Sequence, residues 1–352
     1  MHYRAFVIVS SLALVAPVNA TEPTFATFDY ASSVDGTKPL NADVCFNADG
    51  KPKPLIVVMH GYSGSRKDVS FDLRELAPQG VFAVAPDMRG RGGSAGNWDS
   101  GGLDVHDILD AVLEVIKRYP KEIDAKNLNV IGYSGGGGNA IACAVRFPDL
   151  FRNCVSFFGI SDYGGWYRSK GRPDCNAIME KALGGTPDSL PDVFLARNAI
   201  PAAANAKVSK LHFVWDELEK DCPANMIDEF IKVYRDAKLD RVAVHMSKKT
   251  DPVRWIHNYR SGNRDLSKAD ALFMPDVFDR NGVSPRLPKS GKLIVPGYLV
   301  TRSFQVFVED GTRGQVTIEY DLTGEKPAVK VVENAKNWRV RIETKSPLSV
   351  LP

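Results

Sequence analysis

The sequence contains few histidines and cysteines, the residues on which zinc sites mainly depend. Its 352 residues include six histidines and five cysteines, and these form no Cys-x-x-Cys pair, no His-Glu-x-x-His pattern and no cluster of histidine with cysteine. Structural and catalytic zinc sites depend on such spacings. We therefore expect the protein to hold no metal, and no motif in the chain predicts another cofactor.

A strong excess of positive charge is also missing. Lysine and arginine total 45 against 42 aspartates and glutamates, a net charge of +3, and no basic run alternates with aromatic residues. Nucleic-acid-binding domains usually need such a basic surface, so nucleic acid is not an expected partner. The 44% of apolar residues and 25% of charged residues are typical of a globular chain with a large core.

The N-terminus lacks a hydrophobic run long enough to cross a membrane. Arg4 is followed by an apolar run over residues 5–15, about half the length that a transmembrane helix needs. The residues Val18-Asn19-Ala20 then fit the small-residue pattern of a signal-peptidase site. These features predict a signal peptide over residues 1–20, no membrane anchor, and a secreted or periplasmic mature protein.

Export would permit disulfide bonds, but the odd number of cysteines leaves at least one of them unpaired within the chain. Cys143 and Cys154 lie in apolar helix and strand patterns, which favour buried free thiols. Cys175 and Cys222 lie in polar stretches. They are the pair that we expect to be bridged if any pair is.

Strand and helix patterns alternate along most of the chain. Short apolar runs such as residues 55–59 are followed by helical patterns, an order that predicts a mostly parallel central sheet flanked by helices. We expect this α/β domain to cover residues 21–285, with residues 159–210 inserted as a cap. From about Leu293, period-2 alternation between Asp-Gly, Thr-Gly and Asn-Ala turns predicts a small antiparallel β module within residues 286–352.

A serine surrounded by glycines stands where a predicted strand meets a predicted helix. The stretch VIGYSGGGGNA, residues 130–140, contains G-x-S-x-G, and the sharp turn of a nucleophile elbow needs glycine two residues on either side of Ser134. The stretch has no lysine, which argues against a Walker-type phosphate loop, and the next predicted strand has no acidic residue for a dinucleotide. We therefore assign Ser134 as a nucleophile.

A serine nucleophile needs a general base and a carboxylate that orients the base. In folds with this element order the chain supplies serine, acid and histidine in that sequence. His257 lies beyond the last predicted strand and is assigned as the base, whereas His245 lies within that strand and is expected to be structural. The acid is expected in the stretch LHFVWDELEKDCP, where spacing favours Glu219 and leaves Asp216 and Asp221 open as alternatives.

An oxyanion hole requires two backbone N–H groups directed at the developing negative charge. Gly135, the residue after the nucleophile, would supply one of them. Tyr62, which follows His60 and Gly61 at the end of an earlier strand, would supply the other. His60 itself is expected to be structural rather than a base.

Several motifs together resemble those of the α/β-hydrolase superfamily. They are HGYSG, DMRGRGGS, GYSGG, the acidic stretch that ends in CP, and WIH at residues 255–257. Within the superfamily the chain is most similar to prolyl-oligopeptidase-like, S9-type enzymes and to related secreted esterases, over about residues 27–270. The resemblance implies the α/β-hydrolase fold and a Ser-His-acid triad. Peptidases of that branch usually carry a large N-terminal propeller, for which too few residues precede His60.

These features favour a secreted serine hydrolase that cleaves carboxylic esters through an acyl-enzyme intermediate. The expected partner is an ester or amide substrate, and acylated polysaccharides and polyesters are among the candidates. A prolyl-oligopeptidase-like serine peptidase is the first alternative, because esters and amides are cleaved by the same triad. A non-catalytic binding protein on a hydrolase scaffold is the second.

The cap and the β module leave two further alternatives open. Trp166 and Tyr167 could line an acyl or sugar pocket, although filling the core of the cap is preferred. The module, with Trp338 as its one tryptophan, could bind polysaccharide, although packing against the hydrolase domain is preferred.

Overall fold

The computed structural model describes residues 22–251, 254, 257 and 275–352. The predicted signal peptide, residues 1–20, lies outside this described part of the chain. No helix within the described part is both long enough and apolar enough to cross a bilayer.

Eight strands form the central sheet. They are β1 (Thr24–Tyr30), β2 (Leu40–Phe46), β3 (Lys53–Met59), β4 (Phe82–Pro86), β5 (Ile123–Tyr133), β6 (Asn153–Phe157), β7 (Lys210–Asp216) and β8 (Val242–Ser247). Their spatial order is β1-β2-β4-β3-β5-β6-β7-β8. Strand β2 runs antiparallel to both of its neighbours, and the six strands from β3 to β8 pair in parallel. The carboxyl ends of these six strands therefore meet at one edge of the sheet.

Helices cover the sheet and explain why its central strands are so apolar. They are α1 (Ser70–Leu76), α2 (Leu103–Arg118), α3 (Gly135–Arg146), α4 (Tyr163–Ser169), α5 (Pro173–Leu183), α6 (Pro191–Leu195) and α7 (Asn225–Asp236). Every residue of β3, β4 and β6 is buried, as expected for parallel strands with both faces covered. The predicted α/β fold class is thus confirmed, and helices α4 to α6 lie in the stretch interpreted as a cap.

The C-terminal part forms two small antiparallel sheets. Its strands are β9 (Ser290–Pro296), β10 (Tyr298–Val300), β11 (Gln305–Val308), β12 (Gln315–Asp321), β13 (Ala328–Glu333) and β14 (Val340–Glu343). The sheets are β10-β11-β14 and β13-β12-β9. The alternating pattern does not identify β9 and β10, because LIVPGYLV, which contains the end of β9 and all of β10, is continuously apolar instead of alternating. Trp338 is half-buried against the core of these sheets.

One arginine ties this β module to the hydrolase domain. Arg146, the last residue of α3, is 2% exposed, and its guanidinium donates to the carbonyl oxygens of Gly101, Gly102, Ala196 and Pro296. It also lies 4.5 Å above the ring of Tyr298 in β10. These bonds join α3, the cap and the module, so the module is packed against the hydrolase domain as the sequence favoured.

Replacing Arg146 by methionine should destabilise the protein strongly. The substitution leaves several buried carbonyl oxygens without donors, and each unsatisfied buried group costs about 1–3 kcal/mol. We expect a loss of about 3–5 kcal/mol in the free energy of unfolding, measured by urea denaturation. Arg168→Met is the matched control: Arg168 is 56% exposed and pairs with the exposed Asp188, so its loss should stay below about 1 kcal/mol. Equal losses of unfolding free energy in the two variants would contradict the role of Arg146 in joining the β module to the hydrolase domain.

Candidate active site

The candidate site lies at the edge of the sheet where the parallel strands end. His60 follows β3, Ser134 follows β5, Phe158 follows β6, and the acidic loop follows β7. Because this edge collects one loop from each strand, residues that are far apart in sequence can meet here.

Ser134 adopts the strained backbone of a nucleophile elbow. Its φ of 57° and ψ of −119° lie outside the regions that residues with side chains prefer, at a cost of about 1–3 kcal/mol. The Ser134 N–H donates to the carbonyl of Phe157 at 2.8 Å, which helps to hold the turn. The turn presents Oγ at the N-terminus of α3, as the motif predicts.

The glycines around Ser134 are required by close backbone packing. A Cβ on Gly132 would lie 2.0 Å from the carbonyl oxygen of Gly136. A Cβ on Gly136 would lie 2.4 Å from the carbonyl oxygens of Met59 and His60. Real Cβ atoms do not approach so closely, so glycine at both positions lets α3 start directly against the end of β3.

The two residues assigned to the oxyanion hole are in contact. A Cβ on Gly135 would lie 2.9 Å from the backbone nitrogen of Tyr62, so the two main chains touch beside Ser134. Tyr62 is anchored because its hydroxyl is hydrogen-bonded to Ser100 Oγ at 2.8 Å and its ring packs edge-on against Trp166. Burial raises the pKa of Tyr62 to about 12, so the phenol stays neutral. The contact brings the backbones of Tyr62 and Gly135 together beside Ser134, and their role as oxyanion donors stays a prediction.

His257 and Glu219 lie together at the same pocket. His257 Nδ1 is 3.1 Å from Glu219 Oε1, although the ring N–H does not point along that line as a full hydrogen bond requires. Such contacts often tighten only when a substrate is bound. The Glu219 side chain is 3% exposed, and its Oε1 accepts the backbone N–H groups of Asp221 and Cys222. The carboxylate is thereby fixed beside the imidazole.

The two alternative acids are placed differently. Both oxygens of Asp216 are engaged, by the Arg254 guanidinium, by Ser247 Oγ and by the Leu218 N–H. Asp221 Oδ2 lies 3.9 Å from His257 Nε2, the ring nitrogen that a base must turn toward the nucleophile. Glu219 is therefore the carboxylate placed at Nδ1, while its catalytic role stays a prediction.

A small pocket joins these residues. It has a volume of about 150 Å³, and its wall includes Tyr62, Ser134, Phe158, Trp166, Arg172 and His257. Trp166 is buried, contributes to this wall, and donates from Nε1 to the carbonyl oxygen of Asp221 at 2.7 Å. Trp166 therefore fills the core of the cap, as the sequence favoured, and also lines the pocket. The Tyr167 hydroxyl instead binds exposed Glu180 outside the pocket.

No motif in the sequence predicts a thiol beside the nucleophile. Cys222 Sγ lies 3.9 Å from Ser134 Oγ, and burial together with the charge of Glu219 raises the pKa of this thiol. Cys175 also lines the pocket. All five cysteines are free, so the bridge considered between Cys175 and Cys222 is not formed in the structure; Cys222 packs against the serine instead.

The two other histidines considered above do not line this pocket. His60 is fully buried, and its Nε2 accepts the backbone N–H of Met88 at 3.0 Å while Nδ1 bonds the carbonyl oxygen of Gly61. These bonds fix the turn that leads to Tyr62. The ring of His245 stacks on that of His212 with centroids 5.8 Å apart.

One group of side chains could in principle hold a cation. Ligand atoms of Glu219, Asp221 and His257 lie within 4.8 Å of one another. The two backbone N–H groups that already bind Glu219 and the proximity of Ser134 favour acid and base roles for the same residues.

The family comparison matches part of the chain. Residues 67–216 match the model of the prolyl oligopeptidase family. That range includes Ser134 and ends just before Glu219, so it covers the nucleophile but neither of its expected partners.

Relatives and solved structures with similar folds carry both peptidase and esterase names. The uncharacterized peptidase YtmA of Bacillus subtilis is 29% identical over 120 residues, 34% of this chain and 45% of the relative. An acylaminoacyl peptidase of Pyrococcus horikoshii has a TM-score of 0.59 at 20% identity, covering 74% of this chain and 42% of its own. The esterase Pf2001 of Pyrococcus furiosus has a TM-score of 0.53 at 16% identity, covering 72% of this chain and 93% of its own. This chain thus spans less than half the length of the first two.

Proposed function

Residues 67–216 of this α/β-hydrolase match the model of the prolyl oligopeptidase family, and from this premise we propose that the protein is a serine hydrolase. Ser134 is the nucleophile, His257 the base and Glu219 the orienting acid. The observation that carries the proposal is the strained serine beside a histidine whose Nδ1 lies 3.1 Å from a fixed carboxylate. A non-catalytic role is disfavoured because strain of this kind persists mainly where function requires it.

The proposed reaction proceeds through an acyl-enzyme. Ser134 Oγ attacks the substrate carbonyl carbon while its proton passes to His257. The carbonyl oxygen becomes an anion and accepts the N–H groups of Tyr62 and Gly135. The bond to the leaving group then breaks, and His257 returns the proton to that group. A water molecule, deprotonated by His257, then attacks the acyl carbon. The bond from that carbon to Ser134 Oγ breaks, His257 returns the proton to Oγ, and the free acid leaves.

Esters with a small acyl group are the proposed substrates. Cap residues Trp166, Arg172 and Cys175 contribute to the wall of a pocket of about 150 Å³. A cavity of about that size holds one benzene molecule, so a short chain or a single ring fits and a long acyl chain does not. A short acyl group carried on a polysaccharide or polyester would fit in the same way. Export, on which the access to such polymers depends, rests on the signal-like residues 1–20.

A peptidase of the prolyl-oligopeptidase type is the second candidate. The observation in its favour is the family match itself, together with relatives that are named peptidases. In that case the small pocket would take one side chain of a short peptide or acylated amino acid. Amides and esters then differ only in the leaving group.

Two substrate series separate these candidates. We expect p-nitrophenyl acetate, butyrate and benzoate to be cleaved at least about tenfold more efficiently than the dodecanoate, because the pocket excludes the long chain. Aminoacyl and acyl-dipeptide p-nitroanilides should be cleaved much more slowly than the short esters. The measurement is kcat/KM for each compound. Anilide cleavage matching the short esters would favour the peptidase, and efficient cleavage of the dodecanoate would contradict the assigned pocket.

A further inference from the structure

A buried arginine next to the candidate oxyanion hole has no hydrogen-bond partner within the described residues. Arg91 follows β4 in a glycine-rich turn and is 5% exposed. Its Nε, Nη1 and Nη2 atoms are all buried without an acceptor. Arg89, two residues earlier and equally buried, shows the usual arrangement: its guanidinium binds both oxygens of Asp107 at 2.7 Å and also binds Asp35.

The surroundings of Arg91 are mainly aromatic. Its guanidinium carbon lies 3.8 Å from the ring centroid of Trp98 and 5.1 Å from that of Tyr62. Asp104, Asp87 and the Tyr163 hydroxyl interact with its charge from farther away. Burial raises the pKa of Asp104, and Asp104 makes no hydrogen bond or ion pair with Arg91 within the described residues. The positive charge therefore stays close to Tyr62 and without a direct ion pair.

A buried charge without a partner is unfavourable for folding. A purely structural position would be better filled by an apolar side chain of similar volume, such as methionine. Since the guanidinium does not reach the substrate pocket, it is not a substrate ligand either. Within the described residues its guanidinium lies against the rings of Trp98 and Tyr62, and Tyr62 is the residue whose N–H would hold the oxyanion.

We propose that Arg91 is a positioning residue for the oxyanion hole: it packs on the ring of Tyr62 and brings a positive charge to the residue whose N–H would bind the developing anion. This inference rests on the proposed hydrolase function. A buried positive charge on this side of the site favours the tetrahedral oxyanion over the neutral carbonyl, and we expect its effect to be roughly tenfold in rate. The ground state carries no such anion, so substrate binding should change little.

The test compares the full-length protein with Arg91→Met, Arg91→Lys and Arg89→Met. We expect Arg91→Met to lower kcat on p-nitrophenyl butyrate roughly tenfold with KM unchanged. The affinity for a trifluoromethyl ketone, which forms a tetrahedral adduct with the serine, should fall by a similar factor. Arg91→Lys keeps the charge and should recover most of the rate. The urea concentration at the midpoint of unfolding should be the same as in the wild type or higher for Arg91→Met. For Arg89→Met it should be clearly lower.

A lower kcat together with an unchanged or higher urea midpoint in Arg91→Met would support the proposed role of Arg91. A wild-type kcat in Arg91→Met would overturn the inference while leaving the hydrolase proposal intact. A midpoint lowered as far as that of Arg89→Met, and a similar fall in Asp104→Asn, would show a water-bridged structural pair instead of a charge held for catalysis. Absence of any Ser134-dependent ester turnover in the wild type would overturn both proposals.

Discussion

Ser134→Ala is expected to lower kcat/KM on short p-nitrophenyl esters by a factor on the order of 10⁴ to 10⁶. Removing the nucleophile prevents formation of the acyl-enzyme and leaves only the contributions of the oxyanion hole and of binding. The side chain of Ser134 makes one described contact, to Cys222 Sγ at 3.9 Å, so alanine should fold as well as serine. Initial rates give the loss, and the urea midpoint gives the stability.

Ser290→Ala is the matched control for this variant. Ser290 is exposed at the first position of β9, far along the chain from the elbow, and its replacement should change neither rate nor midpoint. If Ser134→Ala retained more than about a tenth of the wild-type rate, the assignment of the nucleophile would be wrong. Covalent labelling by a fluorophosphonate should likewise disappear in Ser134→Ala and persist in Ser290→Ala.

Glu219→Gln is expected to lower kcat by about 10⁴-fold. An amide at this position can still accept the N–H groups of Asp221 and Cys222, but it no longer supplies the negative charge that stabilises the protonated His257 ring. It also permits the wrong imidazole tautomer, which is the main cause of such losses. The fold should therefore survive while the proton transfer fails. Steady-state kinetics on short esters measure the change.

The neighbouring carboxylates supply the controls. Asp221→Asn should cost less than about tenfold in kcat, because Asp221 lies 3.9 Å from Nε2 and 34% of its side chain is exposed. Asp216→Asn weakens the contacts to Arg254 and Ser247, so the urea midpoint should fall with kcat changed less than tenfold. A loss near 10⁴-fold in either control, with Glu219→Gln nearly active, would move the acid assignment to that residue.

Much of the fold could be predicted because its signals are local. The buried runs of β3, β4 and β6 and the helical period of α2 need no knowledge of distant residues. The glycines around Ser134 carried the same kind of local information, since a sharp turn against a strand end admits no side chain. The LIVPGYLV segment was harder, because a continuously apolar run does not show the alternation of an antiparallel strand.

The site beyond the nucleophile could be predicted only in part. Chain order directs attention to His257 and to the acidic loop, but several carboxylates follow β7 and only their folded partners distinguish them. Asp216 pairs with Arg254, an arrangement that depends on the path of the chain after β8. The contact of Cys222 with Ser134 and the missing partner of Arg91 are likewise products of tertiary packing, for which the sequence carries no motif.

Helix α3 has the elbow serine immediately before its first residue and Arg146 as its last. Its length of 12 residues corresponds to roughly 18 Å of rigid rod, so the anchorage of the β module and the start of the nucleophile turn belong to one mechanical element. A tethered accessory domain can be exchanged or lost without disturbing its neighbour. Here the β module is instead packed rigidly against the hydrolase domain. Substitutions on the two sides of the Arg146 contact are therefore tolerated only in compatible combinations.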